Sequence, residues 1–198
     1  MSMSKTKKQL VDVARQLFAK NGMEDTTMND IAVASKKGRR TLYTYFKSKE
    51  DVYFAVIESE LDILIETMHK VAAKEVAPDE KILELIYTHL DAVKEVVLRN
   101  GTLRAEFFRN IRNVERVRMR FDYHEKMIFR EVLSEGVEKN VFEVEDVPVF
   151  ADILHCCVKG IEVLYIRGRL SQGKDGNTMK RYVKRIVGGA FGKRKLLD

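Results

Sequence analysis

The segment TTMNDIAVASKKGRRTLYTYFKSKED, residues 26–51, holds two short helical patterns separated by a turn of about four residues. Thr27 precedes the first pattern and Asp30 follows three residues later, a spacing typical of a capping box with Asp in place of the usual Glu or Gln. The second pattern, from Arg39 to Phe46, begins with two arginines and carries two tyrosines. Such a pair indicates a helix-turn-helix, whose second helix enters the major groove of DNA.

The second pattern divides into an apolar and a polar face. Leu42 and Phe46 lie four residues apart and are predicted to pack against Ile31 and Ala32 of the preceding helix. On the other face, arginine and threonine can bond to base edges or phosphates, and tyrosine hydroxyls can reach phosphate oxygens. This predicts DNA contacts by Arg39, Arg40, Thr41, Tyr43 and Tyr45.

Two further phosphate contacts are predicted at helix starts. Ser48 with Asp51 three residues on predicts the start of a long fourth helix, so Lys49 lies where free backbone N–H groups and the helix dipole favour an anion. Thr27 occupies the equivalent place on the second helix, where it either contacts a phosphate or acts only as a cap.

Apolar residues at helical spacing recur along the rest of the chain, which has only two prolines and eleven glycines in 198 residues. The pattern predicts an all-α fold of about nine helices, with a helix-turn-helix domain at 1–54 and a larger helical domain at 55–198. The helices after the second and third are predicted to run from Ser48 to about Val76 and over residues 79–99, 102–111, 113–139, 147–169 and 177–191.

The net charge of +6 is unevenly distributed. Residues 1–54 carry eleven Lys and Arg against six Asp and Glu, residues 55–166 carry fifteen against twenty-two, and residues 167–198 carry ten against two. A basic N-terminal module indicates a polyanionic partner, whereas the basic C-terminus is typical of a solvated face or tail.

Several classes of protein are not indicated. The apolar run 149–166 is interrupted by charged residues and the N-terminus lacks an apolar signal core, so we expect a cytoplasmic protein. The adjacent Cys156 and Cys157 suit neither a structural disulfide nor a metal site and are predicted to be buried thiols. No arrangement typical of catalysis occurs and the four histidines form no local cluster, so we expect no enzyme activity, cofactor or metal.

The segment LFAKNGMEDTTMNDIAVAS followed by TLYTYFKSKEDVYFAV resembles the N-terminal domain of the TetR family of bacterial transcriptional regulators, over roughly residues 5–57. The resemblance implies a dimer that binds an operator, most often as a repressor, and releases it in response to a small molecule. One departure affects the turn. Where the family commonly has Gly, a small apolar residue and Ser, then Lys-Gly, this chain has Lys36, Lys37, Gly38, Arg39 and Arg40. We expect Gly38 to take a positive φ, and Lys36 and Lys37 join the predicted DNA contacts.

Residues 149–166 are apolar over most of a helix circumference, with the polar residues Asp152, His155, Lys159 and Glu162 forming a narrow stripe that we expect to be solvated. Such a helix must be covered on two sides. One cover is its own core, and the other is either a second subunit or more of the same core. The resemblance favours the second subunit, because family members dimerise through their last two long helices. The predicted interface residues are Ile161, Leu164, Tyr165, Ile186, Val187 and Ala190.

The resemblance also implies an effector pocket within the second domain. Its predicted lining is Phe107, Phe108, Met119, Tyr123 and Met127, although the same residue types at helical spacing are ordinarily core. The arginines between 104 and 120 form either a solvated face or a site for an anionic effector or additional DNA. The sequence thus predicts a homodimeric, ligand-responsive, sequence-specific DNA-binding repressor with a palindromic operator. The alternative is a helical interaction module that binds acidic partners and has no effector.

Overall fold

The computed structural model of the chain describes residues 4–99, 111–166 and 176–190, and these ranges contain eight helices and no strand. They are α1 (Lys5–Asn21), α2 (Met28–Ala34), α3 (Arg39–Tyr45), α4 (Lys49–Ala72), α5 (Pro78–Arg99), α6 (Ile111–Glu138), α7 (Val147–Ile166) and α8 (Gly176–Ala190). The all-α prediction is confirmed. The helix predicted at 102–111 lies outside the described residues except for its last position.

Several predicted helix ends differ from the structure, by one to four residues. The third helix ends at Tyr45, because Phe46 has an extended backbone (φ −138°, ψ 123°) and closes the helix by donating its N–H to the Leu42 carbonyl. The fourth helix ends at Ala72 instead of Val76, since the chain turns over residues 73–76 before Pro78 begins α5. The one-residue difference at α3 lies within the usual uncertainty of helix ends, whereas the four-residue difference at α4 is a real turn before Pro78.

The chain divides into two compact units, one of residues 1–63 and 95–120 and the other of residues 64–94 and 121–198. Because α4, α5 and α6 each run from one unit into the other, the division differs from the boundary at 54/55 suggested by the sequence. The domain boundary at 54/55 stays a prediction.

The first unit has a core made by one face of each of its first four helices. Leu42 and Ile31 are fully buried in it, as predicted, and Phe46 and Ala32 are nearly so. Phe18 of α1 meets Tyr53 of α4 edge-to-face, with ring centroids 6.4 Å apart. Burial of each large apolar side chain contributes roughly 1.5–3 kcal/mol, so α3 is held by its inward face although it has only seven residues.

The second unit packs α5, α6 and α7 with the end of α4. Its most buried large side chains include Met68, Leu85, Phe121 and Phe129. After α6 the chain turns through Asn140 in the left-handed region (φ 54°), and the N–H groups of Val141 and Phe142 donate to the carbonyl of Gly136. The Phe142 ring covers Gly136 so closely that a Cβ there would lie 2.0 Å from the ring.

A buried polar network lies in the core of the second unit. Glu125 of α6 accepts hydrogen bonds from His89 of α5 (Nδ1 to Oε1, 2.6 Å) and His155 of α7 (Nδ1 to Oε2, 2.7 Å). Glu162 of α7 lies 3.4 Å from the second ring nitrogen of His89. The predicted solvated stripe is therefore wrong for His155 and Glu162, which are 6% and 2% exposed. Asp152 and Lys159 are half-buried and pair with residues of α6.

The network fixes charges inside the unit. Burial alone disfavours both charged forms. For His89, the charge and hydrogen bonds of Glu125 and Glu162 outweigh burial and raise its pKa to about 9. For Glu125, the two histidines outweigh burial and lower its pKa to about 2. At neutral pH the core therefore holds an imidazolium and a carboxylate in contact.

The two cysteines are exposed, so the prediction of buried thiols is wrong. They lie on an open face of α7 together with Val149 and Ile153, which are 53% and 56% exposed. This face is apolar by composition yet has no cover within the described part of the chain.

Among the described helices, none is both long and apolar enough to cross a membrane.

Candidate nucleic-acid interface

The N-terminus of α2 has the predicted capping box. The Thr27 hydroxyl oxygen accepts from the Asp30 N–H (3.2 Å), and the Asp30 carboxylate accepts from the Thr27 N–H (2.8 Å) and hydroxyl (2.7 Å). These hydrogen bonds hold the pKa of Asp30 below its ordinary value. Thr27 is exposed, but its hydroxyl proton is engaged by the neighbouring carboxylate. The cap role of Thr27 is thus present, and its phosphate contact stays a prediction.

The turn between α2 and α3 is a Schellman motif whose left-handed residue is Lys36 (φ 54°). The Lys36 N–H donates to the Val33 carbonyl and the Lys37 N–H to the Ala32 carbonyl, each at 3.0 Å. The prediction that Gly38 takes a positive φ is wrong, since Gly38 has φ −66° and serves as the N-cap of α3. The left-handed residue of a Schellman motif directly follows the helix cap, and that position is occupied by lysine.

The helix α3 presents its polar side chains to solvent. Arg39 and Arg40 are exposed at its start, and Tyr43 and Tyr45 are 45% and 38% exposed along it. Thr41 is half-buried. Because Leu42 and Phe46 anchor the opposite face, the two arginines and two tyrosines project from a helix of fixed orientation. The side of α3 that faces the solvent therefore carries the groups that contact bases and phosphates in DNA-binding helices.

The N-terminus of α4 has the second predicted capping box. Asp51 accepts from the N–H groups of Lys47 (2.9 Å) and Ser48 (3.1 Å), while the Ser48 hydroxyl accepts from the Asp51 N–H. The Lys49 ammonium, predicted to face a phosphate, instead donates to the backbone carbonyls of Met23 (2.8 Å) and Glu24 (3.0 Å). These bonds join the start of α4 to the turn between α1 and α2.

The turn and α3 together form one cationic surface. Lys36 and the two arginines are exposed and Lys37 is half-buried, so four cations fall within five consecutive residues. The side chain of Gln9 in α1 donates to the Ser35 carbonyl (3.1 Å), which ties the turn to the rest of the unit. This part of the chain is a helix-turn-helix domain. It consists of the helices α1 to α3, with a tight turn between α2 and α3 and a cationic, exposed face on α3.

Comparison with known proteins finds relatives of this domain. Residues 10–56 match the model of bacterial regulatory proteins of the tetR family. An HTH-type transcriptional regulator of Staphylococcus aureus is 39% identical over 59 residues, which are 30% of this chain and 32% of that protein. The match thus spans about a third of the length of the curated relatives. The match supports the TetR family for the N-terminal helix-turn-helix domain, as the sequence motifs suggested.

Solved structures extend the similarity of fold to most of the chain. A TetR/AcrR-family regulator from Thermobifida fusca has a TM-score of 0.66 at 26% identity, covering 92% of this chain and 96% of that one. FadR from Bacillus subtilis, solved in complex with stearoyl-CoA, has a TM-score of 0.65 at 18% identity and covers 91% of this chain and 96% of its own. The second similarity concerns the fold alone.

The predicted effector-pocket residues are only partly described. Phe107 and Phe108 lie outside the described residues. Met119, Tyr123 and Met127 are 63%, 60% and 42% exposed on α6, so within a single chain they line the surface. Of the predicted arginines, Arg118 is buried, whereas Arg120 is exposed and pairs with Asp62 (3.3 Å) and Glu58 (3.8 Å) of α4.

The predicted dimer residues lie on α7 and α8. Ile186 and Leu164 are 72% and 39% exposed, and Ala190 is exposed. Ile161 and Tyr165 are half-buried, and the Tyr165 hydroxyl donates to Asp91 of α5. Val187, at 8% exposure, packs within its own unit. Ile186 and Leu164 are thus large apolar side chains without cover in the described part of one chain.

Proposed function

We propose that this chain is a transcriptional regulator that binds duplex DNA by placing α3 in the major groove. The observation that carries the proposal is the orientation of α3. Its apolar face is buried through Leu42, while Arg39 and Arg40 project into solvent at its start. A helix of this kind offers bidentate donors to guanine edges at the end that enters the groove.

The surrounding groups divide into two roles. The hydroxyls of Tyr43 and Tyr45, with the ammonium groups of Lys36 and Lys37, suit contacts to the DNA backbone, which position the domain without reading sequence. Thr41 can bond to a base or a phosphate, and Thr27 adds a backbone contact next to its cap. Sequence preference then rests on Arg39 and Arg40.

We propose further that the active species is a homodimer. The uncovered apolar side chains of α7 and α8, with Ile186 the most exposed of the predicted set, support a second copy as their cover. A two-fold dimer presents two copies of α3 to two half-sites, so the operator would be a palindrome. Repression is the expected outcome of such binding, as in most of the family.

Control by a small molecule is the part of the proposal that rests most on similarity. FadR of Bacillus subtilis, which shares this fold, was solved with stearoyl-CoA, and long-chain acyl-CoAs are therefore the first effectors to test. An effector that favours one arrangement of the second domain weakens operator binding by its differential affinity for the two states. No catalytic step is proposed.

The other candidate is an interaction module that binds acidic partners through its cationic surface. Binding to an acidic protein surface requires only positive charge. The module is disfavoured because this domain holds arginines and tyrosines on the exposed side of a helix whose inward face is fixed.

Selection from a random duplex pool tests the proposal. The full chain should enrich one palindromic sequence and bind it with log K falling linearly against log salt, by ~0.9 for each phosphate contact. A scrambled duplex should bind far more weakly. If nothing is enriched while acidic peptides bind, the interaction module is the correct function.

A further inference from the structure

The Lys49 ammonium bonds to the protein's own backbone, and this arrangement carries the inference. Lys49 is the first residue of α4, and its Nζ reaches carbonyls that lie 26 and 25 positions earlier in the chain. The side chain is half-buried. Two of its three N–H donors are thereby used at ordinary hydrogen-bond lengths, 2.8 and 3.0 Å.

The carbonyls that Lys49 contacts belong to the turn that leads into α2. Gly22 opens the turn in the left-handed region (φ 86°), and Thr26, which is fully buried, closes it with its hydroxyl on the Gly22 carbonyl (2.7 Å). The Thr26 N–H shares the Met23 carbonyl with the Lys49 ammonium (3.3 Å). The next residue, Thr27, is the cap of α2, so the path of this turn determines where α2 begins.

The other end of this connection is also fixed. Asp51 and Ser48 hold the first turn of α4 through their reciprocal hydrogen bonds, so the base of the Lys49 side chain has a defined position. Charge-assisted hydrogen bonds of this kind are stronger than those between neutral groups. The turn before α2 is therefore tied to the start of α4 by one side chain.

We propose that Lys49 is a positioning residue that sets the start of α2 relative to α4, instead of a phosphate contact. The proposal rests on the DNA-binding function proposed above. It also gives α4 a direct influence on the helix-turn-helix. A displacement of the start of α4 moves the ammonium away from the two carbonyls and releases the turn that precedes Thr27.

Three variants of the full chain distinguish the two roles. Lys49→Met keeps the length of the side chain and removes its donors and charge, Lys49→Arg keeps both, and Lys47→Met removes one charge from an exposed neighbour. Amide hydrogen exchange of Thr26 and Thr27 is measured without DNA. Affinity and its salt dependence are measured on the selected duplex, at a temperature at which each variant is fully folded.

A positioning role predicts that Lys49→Met speeds exchange at Thr26 and Thr27 and weakens DNA binding roughly tenfold, with the slope of log K against log salt unchanged. Lys49→Arg should restore affinity and exchange, and Lys47→Met should leave the exchange of the turn as in the parent chain. Because affinity is measured where every variant is fully folded, weaker binding by Lys49→Met is not a general loss of stability.

Other outcomes overturn the proposal. A slope that falls by ~0.9 in Lys49→Met identifies a phosphate contact. Exchange at the turn that does not change in Lys49→Met shows that the two carbonyl bonds do not hold it. If the parent chain binds no duplex DNA, the proposed function fails with the positioning role, and the exchange data still report whether the turn is tied to α4.

Discussion

Replacing Lys36 by glycine should stabilise the protein while weakening its hold on DNA. Lys36 occupies the left-handed position of the turn between α2 and α3 (φ 54°), where an L-residue costs roughly 1–2 kcal/mol and glycine costs almost nothing. Glycine loses more chain entropy on folding, which offsets about 0.5–1 kcal/mol. The net gain is about 0.5–1 kcal/mol, which raises the melting temperature by roughly 1–4 °C for a chain of this size.

Lys37→Gly is the matched control. It removes the same charge one residue later, at a position outside the left-handed region, so only the entropic cost of glycine applies and stability should fall. Thermal unfolding of both variants without DNA gives the two signs. On the selected duplex, Lys36→Gly should also bind more weakly, with a salt slope lower by ~0.9 if its ammonium contacts a phosphate. A melting temperature that falls in both variants would refute the strain at Lys36.

Further expectations concern the second unit. The unfolding free energy should fall by up to about 3 kcal/mol between pH 6.5 and 9. The raised pKa of His89 stabilises the fold fully below the pKa of an unfolded histidine, and this stabilisation is lost as the pH rises to about 9. Denaturant titrations that show no alkaline loss of stability would contradict this. The lowered pKa of Glu125 acts in the opposite sense, so stability should also fall as the pH drops from about 4.5 towards 2. Gly136→Ala should lower the free energy of unfolding by ~1–3 kcal/mol, and with it the melting temperature, because the Phe142 ring must move. An unchanged melting curve would show that the ring moves at no cost. Ile186→Glu should convert a dimer to monomers in sedimentation, and a dimer that persists would place the interface elsewhere.

The features that the sequence predicted best are local. Each capping box joins residues three apart, Thr27 with Asp30 and Ser48 with Asp51, so its spacing is visible in the chain. The inward face of α3 follows from Leu42 and Phe46 four residues apart. Both kinds of signal are determined by helix geometry and need no knowledge of the tertiary structure.

The features that the sequence missed depend on partners far along the chain. His155 is buried because the Glu125 carboxylate, on α6, accepts a hydrogen bond from its ring. Hydropathy along α7 cannot reveal that partner. Lys49 is engaged by carbonyls of the turn before α2, whereas the start of a helix by itself indicated only an anion. The position of the positive φ was wrong for a different reason. The sequence suggested Gly38 because glycine favours positive φ, whereas the Schellman geometry requires it at Lys36.

The proposed function depends on α3 reading base sequence through Arg39 and Arg40. The most direct test is the difference in binding free energy between the selected duplex and its scrambled counterpart, measured for the parent chain, Arg39→Ala, Arg40→Ala and Lys20→Ala, the last removing an exposed charge from α1. We expect truncation of the base-reading arginine to reduce this difference by ~1–3 kcal/mol and to relax preference at one position, while Lys20→Ala leaves it intact. If both arginine variants discriminate as well as the parent chain, α3 does not read the sequence.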